Sequence, residues 1–380
     1  MDILIIHPEG NVNYNVNLLG LAEMLCEAGH RVTYAAPRWP HLAQESPLPS
    51  MRMILLEDRT FHGPVLFPAA AAPNEDNAGP DFASWSGYDF VFGVDRGIIE
   101  GAWIARHFGI PHALISYELF FAEETSIEFT APKVDACRDL AFATCQDVLR
   151  SRKLCMEYGI APDKVLPLPV AGRDFRDCPS RPRLLHYLFE LPEHVKTVLH
   201  MGSFSDWTRA PFLLESTHAW PEDWVLVIHD RHGPSAGLRE QIRRLGHPDR
   251  IRLSEATFVN PEQMSAFIQS ADLGAALYHA TYQAKGGGRN LEHIGLSSGK
   301  ISTYLQHGVP VATHDLGEIS DWIQFYAAGQ VFSLDRPFVP EDPGPQRALG
   351  CRKLFERHLD LERFGPAVLR AMEMAVAGAT

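Results

Sequence analysis

Short runs of apolar residues alternate along this chain with longer stretches in which apolar positions recur every three or four residues. Ile3 to Ile6 form a continuous apolar run, the pattern of a parallel strand buried on both faces, and it stops at His7-Pro8-Glu9-Gly10. Leu18, Leu21, Ala22 and Leu25 then share one face of a helix closed by Gly29, and Val32 to Ala36 reads as the next strand. The same reading predicts strands at 53–56, 90–94, 113–117, 140–144 and 165–169, a helix from Gly97 to Phe108 and another through Leu154 to Gly159. The Ala/Pro/Asn-rich stretch 68–81 predicts a mobile excursion.

A second series starts at Val198. Strands are expected at 198–201, 224–228, 251–253, 273–277, 309–312 and 331–332, with helices at 236–245, 261–270, 299–307 and 317–326 between them. Two further helical stretches follow Pro345. Between the two series lies a charged, proline-bearing segment, which predicts a first domain over 1–175, a linker over 176–185 and a second domain over 186–355. A C-terminal helix over 356–380 is expected to pack back on the first domain. Strands and helices that alternate twice over predict an α/β protein of two doubly wound, Rossmann-like domains facing a central cleft.

Length agrees with that division, since 380 residues exceed what a single core usually supports. With 46% hydrophobic and 21% charged residues the chain is globular, and a formal net charge of −13 argues against nucleic acid as a partner. The six cysteines form no C-x-x-C pair, and no histidine pattern of metal-binding spacing appears among the 18, so no metal site is expected. The chain opens directly on a strand and no apolar run approaches membrane-spanning length, which predicts a cytoplasmic protein without a leader. The first strand-helix-strand unit lacks G-x-G-x-x-G, so no nicotinamide or flavin cofactor is expected.

Candidate chemistry concentrates in Asn290 to Val311. There Ser297-Ser298-Gly299-Lys300 opens a short helix with Ile301, Tyr304 and Leu305 at helical spacing, Gly308 closes it, and a strand resumes. Lys300 sits in the first turn, where the helix dipole disfavours a cation by about 0.3–1 kcal/mol. With Gly299 allowing close approach, serine hydroxyls and outward N–H groups, this is a site for an anion such as a phosphate. A second reading stays open, in which Ser298 is only an N-cap and Lys300 a surface lysine. The Lys285-to-Asn290 loop nearby is either a cationic flap over that anion or a plain surface turn. In the first half, the loop with Asn11 and Asn13 is either a polar ligand site or a turn. Glu118, next to Tyr117 at a strand end, is either a base or hydroxyl ligand, or a cap or ion pair.

Several of these segments resemble GT-B glycosyltransferases, particularly the large retaining family four, over nearly the whole chain. The second half is similar in the strand and glycine loop at 198–209, His229-Asp230, Ala271 to Leu277, the 295–311 block and Gly317-Glu318-Ile319. The first half is similar at Ile110-Pro111 with Tyr117-Glu118-Leu119, at Thr144 to Asp147 and at Tyr158 to Pro169. The resemblance implies a cytoplasmic, metal-independent, retaining hexosyltransferase of carbohydrate biosynthesis. Its donor would be a UDP-, GDP- or dTDP-linked sugar and its acceptor a sugar, a lipid-linked molecule or another small molecule. By position, Gly202, Ser203, Arg209, Ser297, Ser298, Gly299, Lys300 and Thr303 would bind the donor. Arg209 and Lys300 would also serve catalysis with Glu118, and Asn11, Asn13, Tyr117 and Glu118 would lie on the acceptor side.

Departures from the family pattern are specific. Ser203 stands where members carry an arginine, and Gly295 and Thr303 stand where they carry two glutamates, leaving the ribose to Thr303 or Glu292. A sugar-nucleotide 2-epimerase and a non-catalytic glycosyltransferase-like partner are the alternative readings.

Overall fold

The structure is a computed structural model that describes residues 1–8, 10, 15–37, 45–56, 85–178, 180–230, 233–258, 261–282, 288–344 and 346–379. The chain divides into two compact units, one of Met1–Val170 with Leu361–Thr380 and one of Ala171–Asp360. The segment 68–81, Asn11, Asn13 and Lys285 to Gly287 lie outside the described residues.

Among the described residues the first unit carries a seven-stranded, wholly parallel sheet of β1 (Asp2–Ile6), β2 (Arg31–Pro37), β3 (Met51–Leu56), β4 (Phe90–Val94), β5 (His112–Ile115), β6 (Phe142–Cys145) and β7 (Val165–Pro167). Its order is β3-β2-β1-β4-β5-β6-β7, a doubly wound sheet whose direction of winding reverses between β1 and β4. The helices are α1 (Val16–Glu27), α2 (Gly97–Phe108), α3 (Ile127–Ala136) and α4 (Val148–Tyr158). Alternation along β1 explains its unbroken apolar run. Ile3 and Ile5 pack with Leu18, Leu21 and Leu25 of α1, while Leu4 and Ile6 pack with Val91 and Ile104 on the opposite face. Asn15 caps α1 by accepting from the Leu18 N–H at 3.0 Å. The terminal helix Leu361–Ala379 packs on α1, where Leu361, Val368 and Met372 join the Ile3 cluster.

Among the described residues the second unit has a six-stranded parallel sheet of β8 (Lys196–Met201), β9 (Trp224–His229), β10 (Ile251–Leu253), β11 (Leu273–Ala275), β12 (Val311–Thr313) and β13 (Gly329–Val331). The order β10-β9-β8-β11-β12-β13 reverses between β8 and β11. Around it lie α5 (Leu184–Phe189), α6 (Ala210–Ser216), α7 (Ala236–Leu245), α8 (Pro261–Gln269), α9 (Arg289–Glu292), α10 (Gly299–Gln306), α11 (Glu318–Phe325) and α12 (Arg347–His358). Residues 176–185 belong to this unit, in which Arg181 pairs with the buried Asp272 and Leu184 starts α5.

Two strands depart from their apolar runs. β5 stops at Ile115, because the N–H groups of Tyr117 and Glu118 turn to the Asp95 carboxylate at 2.7 and 2.9 Å instead of continuing the ladder. β12 begins only at Val311, since the Val309 N–H closes the end of α10 on the Tyr304 carbonyl at 2.9 Å and Pro310 has no N–H to give. No helix of the described residues is long and apolar enough to cross a membrane.

Candidate functional site

In an open parallel sheet the ligand crevice lies outside the carboxyl ends of the strands where the winding reverses. In the second unit this is the end of β8 beside the end of β11. β8 runs out at Met201 into Gly202, whose φ of +106° suits glycine and puts backbone where another residue would carry a side chain. A short turn follows at Asp206–Thr208, and the chain enters α6 through Arg209 with φ +51°. β11 gives way to Ala276, Leu277 and Tyr278.

Lys300 enters this crevice from the first turn of α10. Its Cε lies 3.6 Å from the position a Cβ on Gly202 would take, and its Nζ lies 3.2 Å from His200 Nε2 and 6.0 Å from the Tyr278 ring centre. Helix geometry leaves the first-turn N–H groups without carbonyl acceptors inside the helix. Ser298 Oγ satisfies that of Ile301 at 3.2 Å and is also hydrogen-bonded to the Tyr278 hydroxyl. The buried Ser298 side chain is therefore first of all the cap of α10. Ser297 and Ser298 also spend their N–H groups on the Ile294 and Gly295 carbonyls. Lys300, by contrast, turns back toward the glycine loop, which a plain surface lysine would not do.

Position of α10 depends on Tyr304. Its buried hydroxyl donates to the Leu199 carbonyl at 2.8 Å and accepts from the Met201 N–H at 2.9 Å, so helix and strand end move as one piece. Arg209 is fixed in turn by Nε donating to the Tyr278 carbonyl at 3.0 Å, and burial lowers its pKa from the usual arginine value. Arg209 lines an open pocket of about 330 Å³ with Asp206, Pro211, Phe212, His279 and Thr281. Burial, with Arg209 nearby, pushes His314 down to about 4, so the crevice has fixed cations and a neutral imidazole. Gly202, Ser203, Arg209, Ser298, Gly299 and Lys300 thus come to one end of one sheet. Thr303 is half-buried further along α10, with its carbonyl accepting from His307. Glu292 is exposed and accepts from the Tyr282 hydroxyl.

In the first unit the corresponding place is the end of β1 beside β4. His7 follows β1, with Nδ1 at 2.7 Å from the Tyr34 hydroxyl, and burial pushes its pKa down to about 4. Tyr117 donates its hydroxyl to Asn17 Oδ1 at 2.7 Å, and Asn17 donates to the Pro169 carbonyl at 2.9 Å. Arg150, fully buried, donates to the Tyr117 carbonyl at 2.7 Å and to Gln146 Oε1 at 2.8 Å. Glu118 is exposed, with its backbone pinned by Asp95. The phenol of Tyr117 is therefore a held structural group, and burial, reinforced by Asp95, raises its pKa well above the ordinary tyrosine value.

Three residues of these sites escape sequence reading. His200 is the one polar side chain in Val198 to Met201, two positions before the loop glycine, and that interruption was its signal. Tyr278 had none. Asp95 follows a buried strand directly, the same position after a strand that marks Glu118. Among the described residues no group of three or more His, Cys, Asp or Glu side chains is placed to hold a metal ion.

No protein-family model and no curated protein matches the sequence. Solved structures do match in fold. Anabaena HepE in complex with UDP and glucose superposes with a TM-score of 0.69 at 12% identity, over 98% of this chain and 100% of that one. Sucrose-phosphate synthase from Thermosynechococcus elongatus gives 0.63 at 13%, over 99% of each chain. Trehalose 6-phosphate synthase from Burkholderia multivorans gives 0.63 at 11%, over 100% of this chain and 99% of that one. The chain has the GT-B fold, with a doubly wound parallel sheet in each unit.

Proposed function

We propose that the protein is a glycosyltransferase that moves a sugar from a nucleotide-diphosphate sugar to a hydroxyl acceptor. One juxtaposition carries this reading: Lys300, in the first turn of α10, lies against the Gly202 loop at the winding reversal of the second sheet, with Cε 3.6 Å from the Cβ position of that glycine. A phosphate there meets an ammonium, first-turn N–H groups and bare backbone together. The likeness to Anabaena HepE in complex with UDP and glucose makes UDP the first nucleotide to test, ahead of GDP and dTDP.

In the proposed reaction Lys300 and Arg209 neutralise the charge that develops on the leaving diphosphate. That neutralisation needs no metal ion. Retention follows if the departing phosphate takes the acceptor proton on the same face, which leaves the protein to supply orientation and charge. Glu118 then serves the acceptor by orienting a hydroxyl, on a segment that the Tyr117 phenol anchors to Asn17. Ribose contacts fall to Thr303 or Glu292.

Calorimetric titration with UDP, GDP and dTDP tests the donor site directly. One of the three is expected to bind, and its sugar conjugate to be consumed only when an acceptor is present, with EDTA leaving the rate unchanged. Absence of binding by all three would overturn the reading. Conversion of donor without acceptor would point to an epimerase instead.

A further inference from the structure

His200 is fully buried, and its two ring nitrogens are in unequal positions. Nδ1 has no hydrogen-bond partner among the described residues, whereas Nε2 has two claimants: Lys300 Nζ at 3.2 Å and the Ser203 carbonyl at 3.1 Å. The claims exclude one another. An ammonium needs a lone pair on Nε2, and a carbonyl needs a hydrogen there. A doubly protonated ring would satisfy Ser203 only by placing its charge beside Lys300, and burial with Lys300 beside it holds the His200 pKa well below the ordinary histidine value. Among the described residues Lys300 is the charged group that acts on the ring. From the loop come the Ser203 carbonyl and the Phe204 ring, edge-on with centroids 4.8 Å apart.

Strength decides between the claimants when the crevice is empty. A hydrogen bond from a cation is roughly twice as strong as one between neutral groups, and the Ser203 carbonyl has a second donor within reach in Thr208 Oγ1 at 3.1 Å, whose hydrogen it shares with the Ser205 carbonyl at 2.9 Å. Lys300 then holds Nε2 and the proton sits on Nδ1. An anion that takes the Lys300 ammonium removes the stronger claimant, and the ring is left with Ser203.

We infer that His200 is a positioning residue that couples anion capture by Lys300 to fixing of the Gly202–Ser205 loop, by passing Nε2 from the lysine to the Ser203 carbonyl. One proton leaves Nδ1 and one arrives at Nε2, so the ring stays neutral and no net proton is taken up. The inference rests on the phosphate reading of the crevice, and adds to it that the loop is fixed only as Lys300 engages the diphosphate.

The test uses the full chain with histidine ring nitrogens labelled with 15N, and inorganic pyrophosphate as the probe. Protonated and bare ring nitrogens resonate far apart, and the spectrum of His200→Gln assigns the His200 signals by difference. Nε2 is expected to be bare in the free protein and protonated at saturating pyrophosphate. Hydrogen exchange supplies a second readout. In the native chain pyrophosphate should slow exchange of the Phe204, Ser205 and Thr208 amides at least about fivefold. That slowing should vanish in His200→Phe while pyrophosphate still binds, and return in His200→Gln, whose amide has a separate donor and acceptor. The same tautomer free and bound, or equal slowing in His200→Phe, overturns the coupling while leaving the phosphate site intact. Failure of pyrophosphate and UDP to bind the native chain overturns the phosphate reading and this inference with it.

Discussion

Tyr304 occupies the space that a side chain on Gly274 would need, since a Cβ there would lie 2.4 Å from the ring carbons Cγ and Cδ2. The ring lies against bare backbone of β11, and its hydroxyl reaches Leu199 and Met201 on the neighbouring β8. Gly274→Ala pushes the ring away and with it the start of α10. Overpacking of this kind costs about 1–3 kcal/mol. Urea unfolding should show that loss, and UDP affinity should fall too, because the first turn of α10 and the end of β8 both move. Unchanged stability would mean that the ring has room elsewhere.

Lys300→Met keeps most of the aliphatic stem and removes the charge. Lys300 is half-buried, so stability should stay within about 0.5 kcal/mol of the native chain. Loss of a hydrogen bond from a cation to a phosphate is worth about 1.5–3 kcal/mol, or roughly 10- to 150-fold in UDP affinity. Calorimetry at low and high salt checks the cause: the native affinity should fall with salt more steeply than that of the variant. Equal affinity for UDP in both proteins would remove Lys300 from the donor site.

Contiguous features of this molecule were legible in its sequence, and features made by pairing were not. β1 showed as an apolar run because both its faces are buried, and the Ser-Ser-Gly-Lys turn showed as a helix start because cap, glycine and lysine are neighbours in the chain. The His200–Lys300 contact joins residues 100 apart, and it exists only because the parallel register sets the end of β8 beside β11 and α10. Nor could apolarity say where β5 ends, since that is decided by the Asp95 carboxylate from the adjacent strand. The linker expected over 176–185 rests on the charged, proline-bearing run up to Pro182 and takes in only the first two residues of α5, and the burial of Leu185 depends on a core that only the fold brings to it.

His307 gives the second unit an acid-sensitive point. Its Nδ1 lies 2.7 Å from the Thr303 carbonyl and its Nε2 3.0 Å from Ser265 Oγ, so a neutral ring with the proton on Nδ1 satisfies both. Burial pushes its pKa down to about 4, the Thr303 bond opposes that, and Arg176 adds to it. In the unfolded chain the ring protonates near ~6.5. As pH falls, the unfolded state takes up its proton first, so stability is complete above about 6.5 and declines down to about 4, by at most about 1.4 kcal/mol per pH unit for this group. His307→Gln, which does not titrate, should flatten the fall in urea stability across that window. An unaltered slope would assign the acid sensitivity to other groups.

Asp95 supports the loop that carries Glu118, and it does so from a backbone conformation of φ +48° that aspartate and asparagine tolerate better than alanine. One carboxylate oxygen accepts from both the Tyr117 and Glu118 N–H groups. Asp95→Ala removes that acceptor and keeps the strained backbone, at a cost of about 2–3 kcal/mol, whereas Asp95→Asn keeps a carbonyl oxygen and should stay within about 1 kcal/mol. If the Tyr117-Glu118 segment presents the acceptor, Asp95→Ala raises KM for the acceptor by about tenfold, the effect of a loop misplaced by ~1 Å being no smaller. If UDP binds through Lys300 and the Gly202 loop of the second unit, as proposed, its affinity should be unchanged in both variants. Steady-state kinetics with each substrate varied in turn separates these effects: a rise in acceptor KM alone supports the acceptor role of the loop, and an equal loss of UDP affinity would remove it.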